Sequence, residues 1–158
     1  MSNYILPQTN FWIASETQLI GTRVRLLPLR YEHLEPLVNL GNDPRIWTHF
    51  PADRTNPATR YNHLVHCFME MKCGNQHGFC IQTAQTGKIA GLTRLFHLDQ
   101  ANRQLEIGSW LHPDFWRTGI NTEAKYLLLR FCFVQFKFFS GGRTVKSGVN
   151  TFYIMFSV

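Results

Sequence analysis

Residues Leu105 to Lys125 read LEIGSWLHPDFWRTGINTEAK, and their types and spacing suit the capture of an anion. An apolar, strand-like run ends at Leu111, Pro113 breaks it, and Thr122 and Glu123 open a helical pattern soon after. The first N–H groups of a helix have no partner inside the helix, and the aligned peptide dipoles add partial positive charge there. A junction of this kind takes phosphate or pyrophosphate. Gly119 presents backbone without a Cβ at the closest approach, and Arg117 adds a full charge beside it. The same spacing fits an ordinary strand-to-helix turn in which Gly119 serves the turn and Thr122 caps the helix.

Other chemistry-bearing residues form weaker sets. His63, His66 and Cys67 fall on adjacent turns of one helical segment, but a metal there needs a further ligand from elsewhere. The cysteines Cys67, Cys73, Cys80 and Cys132 contain no CxxC pair, and the histidines form no HExxH motif. Buried, reduced thiols are expected, with no metal.

The elements that must position the Leu105–Lys125 junction follow from periodicity. Residues 1–20 read as an irregular leader with apolar anchors Phe11, Trp12 and Ile13. Thr22 to Arg30 reads as a first strand, with Pro28 arguing for an edge or a bulge near its end. Leu34, Leu37, Val38 and Leu40 predict a helix over Tyr31 to Leu40, stopped by Gly41. Asn42-Asp43-Pro44 is turn chemistry, and Arg45 to Phe50 reads as a short helical turn. Asn56 and Pro57 start a second helix that runs to about Lys72 before Gly74. The period then changes. Strands over Phe79 to Gln82, Lys88 to Leu98 and Gln104 to Leu111, with turns at Thr86-Gly87 and Gln100 to Arg103, predict an antiparallel meander. A last helix runs from about Ile120 to Gln135. Helices and strands mixed within one core give an α/β (α+β) class.

The whole chain of 158 residues suits a single domain with one sizeable core. Hydrophobic content of 44% against 16% charged excludes a disordered polar chain, and 13 Phe predict an aromatic-rich interior. The net charge of +6 favours anionic partners, but no basic run or basic aromatic face supports a specific nucleic-acid partner. The N-terminus lacks a basic start, and Pro7, Gln8 and Asn10 interrupt any apolar run. The most apolar stretch, Tyr126 to Phe139, is broken by Arg130, Gln135 and Lys137 and falls short of the ~20 residues of a membrane span. A soluble, cytoplasmic chain without membrane partners is expected.

The Leu105–Lys125 segment resembles motif A of the GNAT acetyltransferase superfamily, in the branch of the ribosomal-protein N-terminal acetyltransferases. Leu111-His112-Pro113 matches the strand end, and Trp116-Arg117-Thr118-Gly119-Ile120-Asn121 occupies the loop. Trp116 is common in this branch where others have Arg or Gln. Arg117 and Asn121 stand where small residues are common, which narrows the cradle. Upstream, Leu19-Ile20-Gly21-Thr22-Arg23-Val24-Arg25-Leu26 resembles the first strand of the branch. Asn42-Asp43-Pro44 resembles its loop after the first helix, and Thr86-Gly87-Lys88-Ile89-Ala90-Gly91 its strand-turn-strand. The ordered match runs from about Leu19 to Phe136. It implies a GNAT-like, mostly antiparallel sheet flanked by helices.

The resemblance implies an N-acetyltransferase in which an amine attacks acetyl-CoA directly in a ternary complex. The acceptor is a small-molecule amine or a protein N-terminus. The cofactor contacts implied are Ser109, Trp110 and Leu111 along the pantetheine arm. Trp116, Arg117, Thr118, Gly119, Ile120, Asn121 and Thr122 would surround the pyrophosphate. The N–H of Leu111 would face the thioester carbonyl and stabilise the oxyanion. Glu106 matches a frequent acidic position and would serve as general base, the alternative being a partner for a neighbouring arginine. Trp47, His49 and Phe50 sit in the loop that commonly lines the acceptor pocket, the alternative being partial core.

After Phe136 the resemblance stops, so the C-terminal elements of the fold are expected to be incomplete. Gly141-Gly142 reads as a flexible break, and Thr151 to Val158 has strand composition with almost no polar residue. A bare edge beside the motif A strand invites pairing, so this tail is expected either to add to its own sheet or to pair with another copy as a homodimer. A non-catalytic acyl-CoA-binding or oligomerising remnant is the alternative to an enzyme. The family-like part is 19–136 and the divergent tail 137–158.

Overall fold

Alternating apolar residues along Gln104–Leu111 and its neighbours build the centre of a sheet. The computed structural model describes residues 13–50, 54–99, 104–135, 143–148 and 151–156. The strands are β1 (Leu19–Ile20), β2 (Val24–Pro28), β3 (His77–Thr83), β4 (Ile89–Asp99), β5 (Gln104–Leu111), β6 (Arg143–Gly148) and β7 (Thr151–Phe156). The helices are α1 (Leu34–Leu40), α2 (Pro57–Lys72) and α3 (Ile120–Gln135). One seven-stranded sheet runs in the order β1-β2-β3-β4-β5-β7-β6, with every pair antiparallel. The α+β class, the three-strand meander and the helices starting at Pro57 and Ile120 agree with the sequence reading.

The pleat sends successive β5 side chains to opposite faces. Leu105, Ile107 and Leu111 join a core under α3, where Ile120, Ala124, Leu128 and Cys132 recur every fourth residue. Trp110 and Leu92 join a second core with Leu34 and Leu37 of α1 and Leu64 and Cys67 of α2. Two such layers, one on each face, cover the sheet.

Several boundaries differ from the sequence reading. Leu19–Ile20, placed in the leader by periodicity but at the start of the first strand by the resemblance, pairs with Arg25 and Leu26 as a short edge strand. The first helix divides into a 3-10 turn at Tyr31–His33 followed by α1. Pro28 closes β2 without loss because β1 stops opposite Leu26, so no N–H is needed on that side. Cys73 is exposed just after α2, whereas Cys67, Cys80 and Cys132 are buried, as expected. The anchors Phe11 and Trp12, the Gln100 to Arg103 turn and the Gly141-Gly142 break lie outside the described residues. No helix among the described residues is long and apolar enough to cross a membrane.

The tail takes the first of its two expected pairings. β7 lies beside β5 in its own chain, with Gln104 opposite Met155 and Gly108 opposite Thr151. β6 folds back on β7 and becomes the outer strand.

One carboxylate joins α3 to the opposite end of the sheet. Glu123 accepts from the N–H groups of Thr22 (3.0 Å), Arg23 (2.7 Å) and Val24 (2.9 Å) and from the Thr22 hydroxyl (2.7 Å). Burial disfavours the charge, but these hydrogen bonds outweigh it and lower the Glu123 pKa. A lowered pKa contributes stability that is full above the unfolded value and is lost as pH falls through the folded one. Glu123→Gln should therefore cost about 1–3 kcal/mol near neutral pH. In urea titrations that difference should shrink once pH drops below the ordinary carboxylate value of 4.5. A difference that holds constant into acid would remove the carboxylate from this role.

Candidate functional site

The connection from β5 to α3 is built by side-chain contacts. The His112 N–H donates to the Ala90 carbonyl at 2.9 Å, extending the β4–β5 pairing by one residue. A 3-10 turn, Pro113–Phe115, follows, and the Thr118 hydroxyl donates to the Phe115 carbonyl at 2.6 Å. Arg117 (φ 60°) and Gly119 (φ 83°) both take left-handed backbone, and the Glu123 N–H closes the first helical bond on the Gly119 carbonyl. A Cβ at Gly119 would be strained by that φ and would sit 3.4 Å from Arg23 Nη1. Arg23 also donates to the Thr118 carbonyl at 3.2 Å, so a guanidinium stands at the mouth of the helix. Arg117, Thr118, Asn121 and Thr122 are exposed around it, whereas the Ile120 side chain is buried in the core. The exposed backbone, two arginines and the helix N-terminus together suit a pyrophosphate.

Trp116 has a structural task in this loop. Its indole N–H donates to the Leu111 carbonyl at 2.9 Å, fastening the loop to the end of β5.

The edge of β5 is divided. In an antiparallel ladder, inward and outward hydrogen-bonding residues alternate. His112 bonds inward to Ala90, so the N–H and carbonyl of Leu111 point outward, away from β4. On that outer side β7 pairs along Gln104 to Gly108, and among the described residues the pairing stops there. Ser109, Trp110 and Leu111 thus present an edge that runs straight into the α3 junction. On the inner side a Cβ on Gly91 would lie 2.1 Å from the Trp110 carbonyl oxygen, so β4 tolerates only glycine at this approach.

Beneath the edge, facing α3, lies a polar line. Lys125 Nζ hydrogen-bonds Ser109 Oγ, which lies 2.6 Å from Thr93 Oγ1, and the Thr93 hydroxyl donates to the Gly108 carbonyl at 3.2 Å. Burial lowers the Lys125 pKa to about 7.

Glu106 lies on the other face. Its Oε1 is 2.8 Å from His97 Nδ1, so its partner is a histidine and not an arginine. His97 takes φ 48° at the irregularity between Phe96 and Asp99 and is exposed to solvent. Arg94 instead stacks on Phe96 at 4.2 Å and donates to Gln76 at 3.0 Å. Trp110 is buried against Trp47, ring centroids 5.3 Å apart. Trp47 is itself buried and donates its indole N–H to the Gly41 carbonyl at 2.8 Å, whereas His49 is exposed and Phe50 half-buried. Arg60 of α2 holds this region from behind, donating to the Val38, Arg54 and Thr55 carbonyls and to Asn42.

His63 Nε2 lies 3.4 Å from Cys67 Sγ, and burial, with Arg54, Arg94 and His66, lowers the His63 pKa to about 3. Among the described residues no group of three or more His, Cys, Asp or Glu side chains is placed to hold a metal.

The sequence reading missed Arg23, Lys125 and His97. Arg23 carries no local sign of its place, because 95 residues separate it from Thr118. Lys125 is about 200° around the helix from Glu123, which signals a different face, yet a lysine on a helix ordinarily reads as solvated.

A family profile described as an acetyltransferase (GNAT) domain matches residues 23–153. The chain is 30% identical over 115 residues to a Bacillus subtilis (strain 168) protein provisionally named ribosomal N-acetyltransferase YdaF. That match covers 71% of this chain and spans 62% of the relative's length. A T. thermophilus structure, provisionally described as an acetyltransferase, superposes with TM-score 0.64 at 26% identity, covering 79% of this chain and 64% of the other. The fold is shared with the Microcin C7 self immunity acetyltransferase MccE, solved with acetyl-CoA and AMP, at TM-score 0.60 and 19% identity over 86% of this chain and 92% of that one. With 131 of its residues inside the family profile, the chain belongs to the GNAT acetyltransferase family.

Proposed function

We propose that the chain is an N-acetyltransferase that binds acetyl-CoA along the open edge of β5 and passes its acetyl group to a primary amine, on a small molecule or a protein N-terminus. The observation that carries this reading is the edge itself: among the described residues strand pairing ends at Gly108, and Ser109 to Leu111 leads directly into the Arg117–Thr122 cradle. Acetyl-CoA, when bound, supplies an activated acetyl thioester.

The residues of the chain supply the rest. Backbone N–H groups between Arg117 and Thr122, helped by Arg23 and Arg117, hold the pyrophosphate without a side chain at Gly119 in the way. Ser109 and Leu111, whose main-chain groups point outward in this alternation, offer hydrogen-bonding positions to the pantetheine arm as a strand would, with Trp110 between them. The Leu111 N–H, directed outward, stabilises negative charge on the carbonyl oxygen during attack. Trp116 keeps that peptide in place through the Leu111 carbonyl. Glu106 takes the proton of the attacking amine, directly or through water, and His97 orients its carboxylate. His49 and Phe50 face the acceptor, and the buried Trp47 supports them.

Two measurements test this reading. Millimolar coenzyme A, about a thousandfold above a micromolar Kd, should stabilise the fold by ~4 kcal/mol and raise the melting temperature. Gly119→Val should weaken that shift strongly; an absent shift with the unaltered chain would remove the cofactor from the proposal. Glu106→Gln should lower turnover by about 100- to 10,000-fold while coenzyme A still binds. The loss should shrink as pH rises, because more of the acceptor amine is then unprotonated. Binding with no turnover of any amine by the unaltered chain would favour the acyl-CoA-binding remnant.

A further inference from the structure

Three elements meet at Ser109. Lys125 reaches it from α3, Thr93 touches it from β4, and Ser109 itself belongs to the edge of β5 that, among the described residues, β7 does not pair. The Thr93 hydroxyl donates to the Gly108 carbonyl, so Ser109 donates to Thr93 and Lys125 donates to Ser109. Protons are thus ordered along a line from a half-buried ammonium to a hydroxyl at the edge. Glu123, two residues away on α3, is turned to the Thr22–Val24 backbone and leaves this line alone. Nothing in the amine-side chemistry of Glu106 uses it, because Glu106 lies on the opposite face of β5.

We propose that Lys125, acting through Ser109, donates the proton that neutralises the sulfur leaving the acetyl thioester. The inference rests on the acetyl-CoA reading above. As the acceptor nitrogen bonds to the acetyl carbon, the carbon–sulfur bond breaks and its electron pair stays on sulfur. Ser109 turns its hydroxyl proton to that sulfur and takes one from Lys125 Nζ, leaving a neutral amine. Glu106 holds the proton released by the acceptor nitrogen, so charge and protons balance across the two faces of β5. Lys125 regains its proton from solvent after products leave. Its pKa of about 7 suits the task, since a lysine at its ordinary value would hold its proton too tightly.

The test uses Lys125→Met, which keeps the apolar stem, and Ser109→Ala, which keeps the strand. Each should lower kcat by about 100-fold with KM for acetyl-CoA nearly unchanged. A second readout is independent of turnover: the ultraviolet thiolate absorbance of bound coenzyme A at about pH 7, where about half of Lys125 is charged and a thiol of ordinary pKa, about 8.5, is almost wholly protonated. Lys125 in the unaltered chain should raise the ionised fraction of that thiol, and Lys125→Met should return it towards the value in water. A folded Lys125→Met with unaltered kcat, or with the same thiolate fraction as the unaltered chain, overturns the proposal. Coenzyme A binding with no such difference overturns this proposal alone. Failure of the unaltered chain to bind coenzyme A overturns it together with the reading on which it rests.

Discussion

The Glu123 carboxylate accepts three consecutive main-chain N–H groups and a hydroxyl from the turn between β1 and β2. Those donors have no strand partner of their own at a turn; Thr22 and Arg23 are exposed, Val24 is buried, and a buried N–H left unpaired is costly. By satisfying them from the first turn of α3, one side chain fixes the start of the helix against the far edge of the sheet. Arg23, within the same turn, is thereby carried to Thr118 and Gly119. The geometry of the cradle, with its left-handed Gly119 and its second arginine, depends on that attachment. A Cβ on Gly21 would meet the Glu123 carboxylate at 2.7 Å, so glycine before the turn is part of the same constraint.

β5 carries most of the remaining site because its three directions are used differently. Its inner edge bonds β4 closely enough that Gly91 admits no side chain. Its two faces carry unlike groups: Glu106 and Trp110 towards α1 and α2, Ser109 and Leu111 towards α3. Its outer edge is shared, β7 taking Gln104 to Gly108. An edge that was fully paired would protect the sheet from association but leave no room for an extended ligand. Among the described residues β7 stops opposite Gly108, and Trp116 fastens the far end by taking the Leu111 carbonyl.

Much of this was legible in the residues themselves. The α2 and α3 helices announce themselves through Asn56-Pro57 and through the four-residue recurrence of Ile120, Ala124, Leu128 and Cys132, signals that act locally. The Gln104–Leu111 strand and its loop were legible for the same reason, and Gly119 marked the one position where backbone had to pass without a Cβ. Periodicity left Leu19–Ile20 in the leader because two residues carry no period, although the resemblance began there, and pairing with β2 makes them a strand. Cys73 looked like its buried neighbours because it sits just past the end of α2, where exposure depends on how the helix end meets the rest of the fold.

What the sequence by itself determined was the set of elements, their order and the chemistry available at the β5–α3 junction, because helix starts, turns and strand alternation are short-range properties. The tertiary structure alone decided which distant groups meet there. Arg23 and Glu123 reach across about a hundred residues of chain, Lys125 turns inward to Ser109 instead of outward to water, and His97 becomes the partner of Glu106. It also decided that β7 lies against its own sheet, pairing with Gln104 to Gly108. These are outcomes of packing, in which burial and hydrogen-bond satisfaction select among contacts that local sequence leaves equally open.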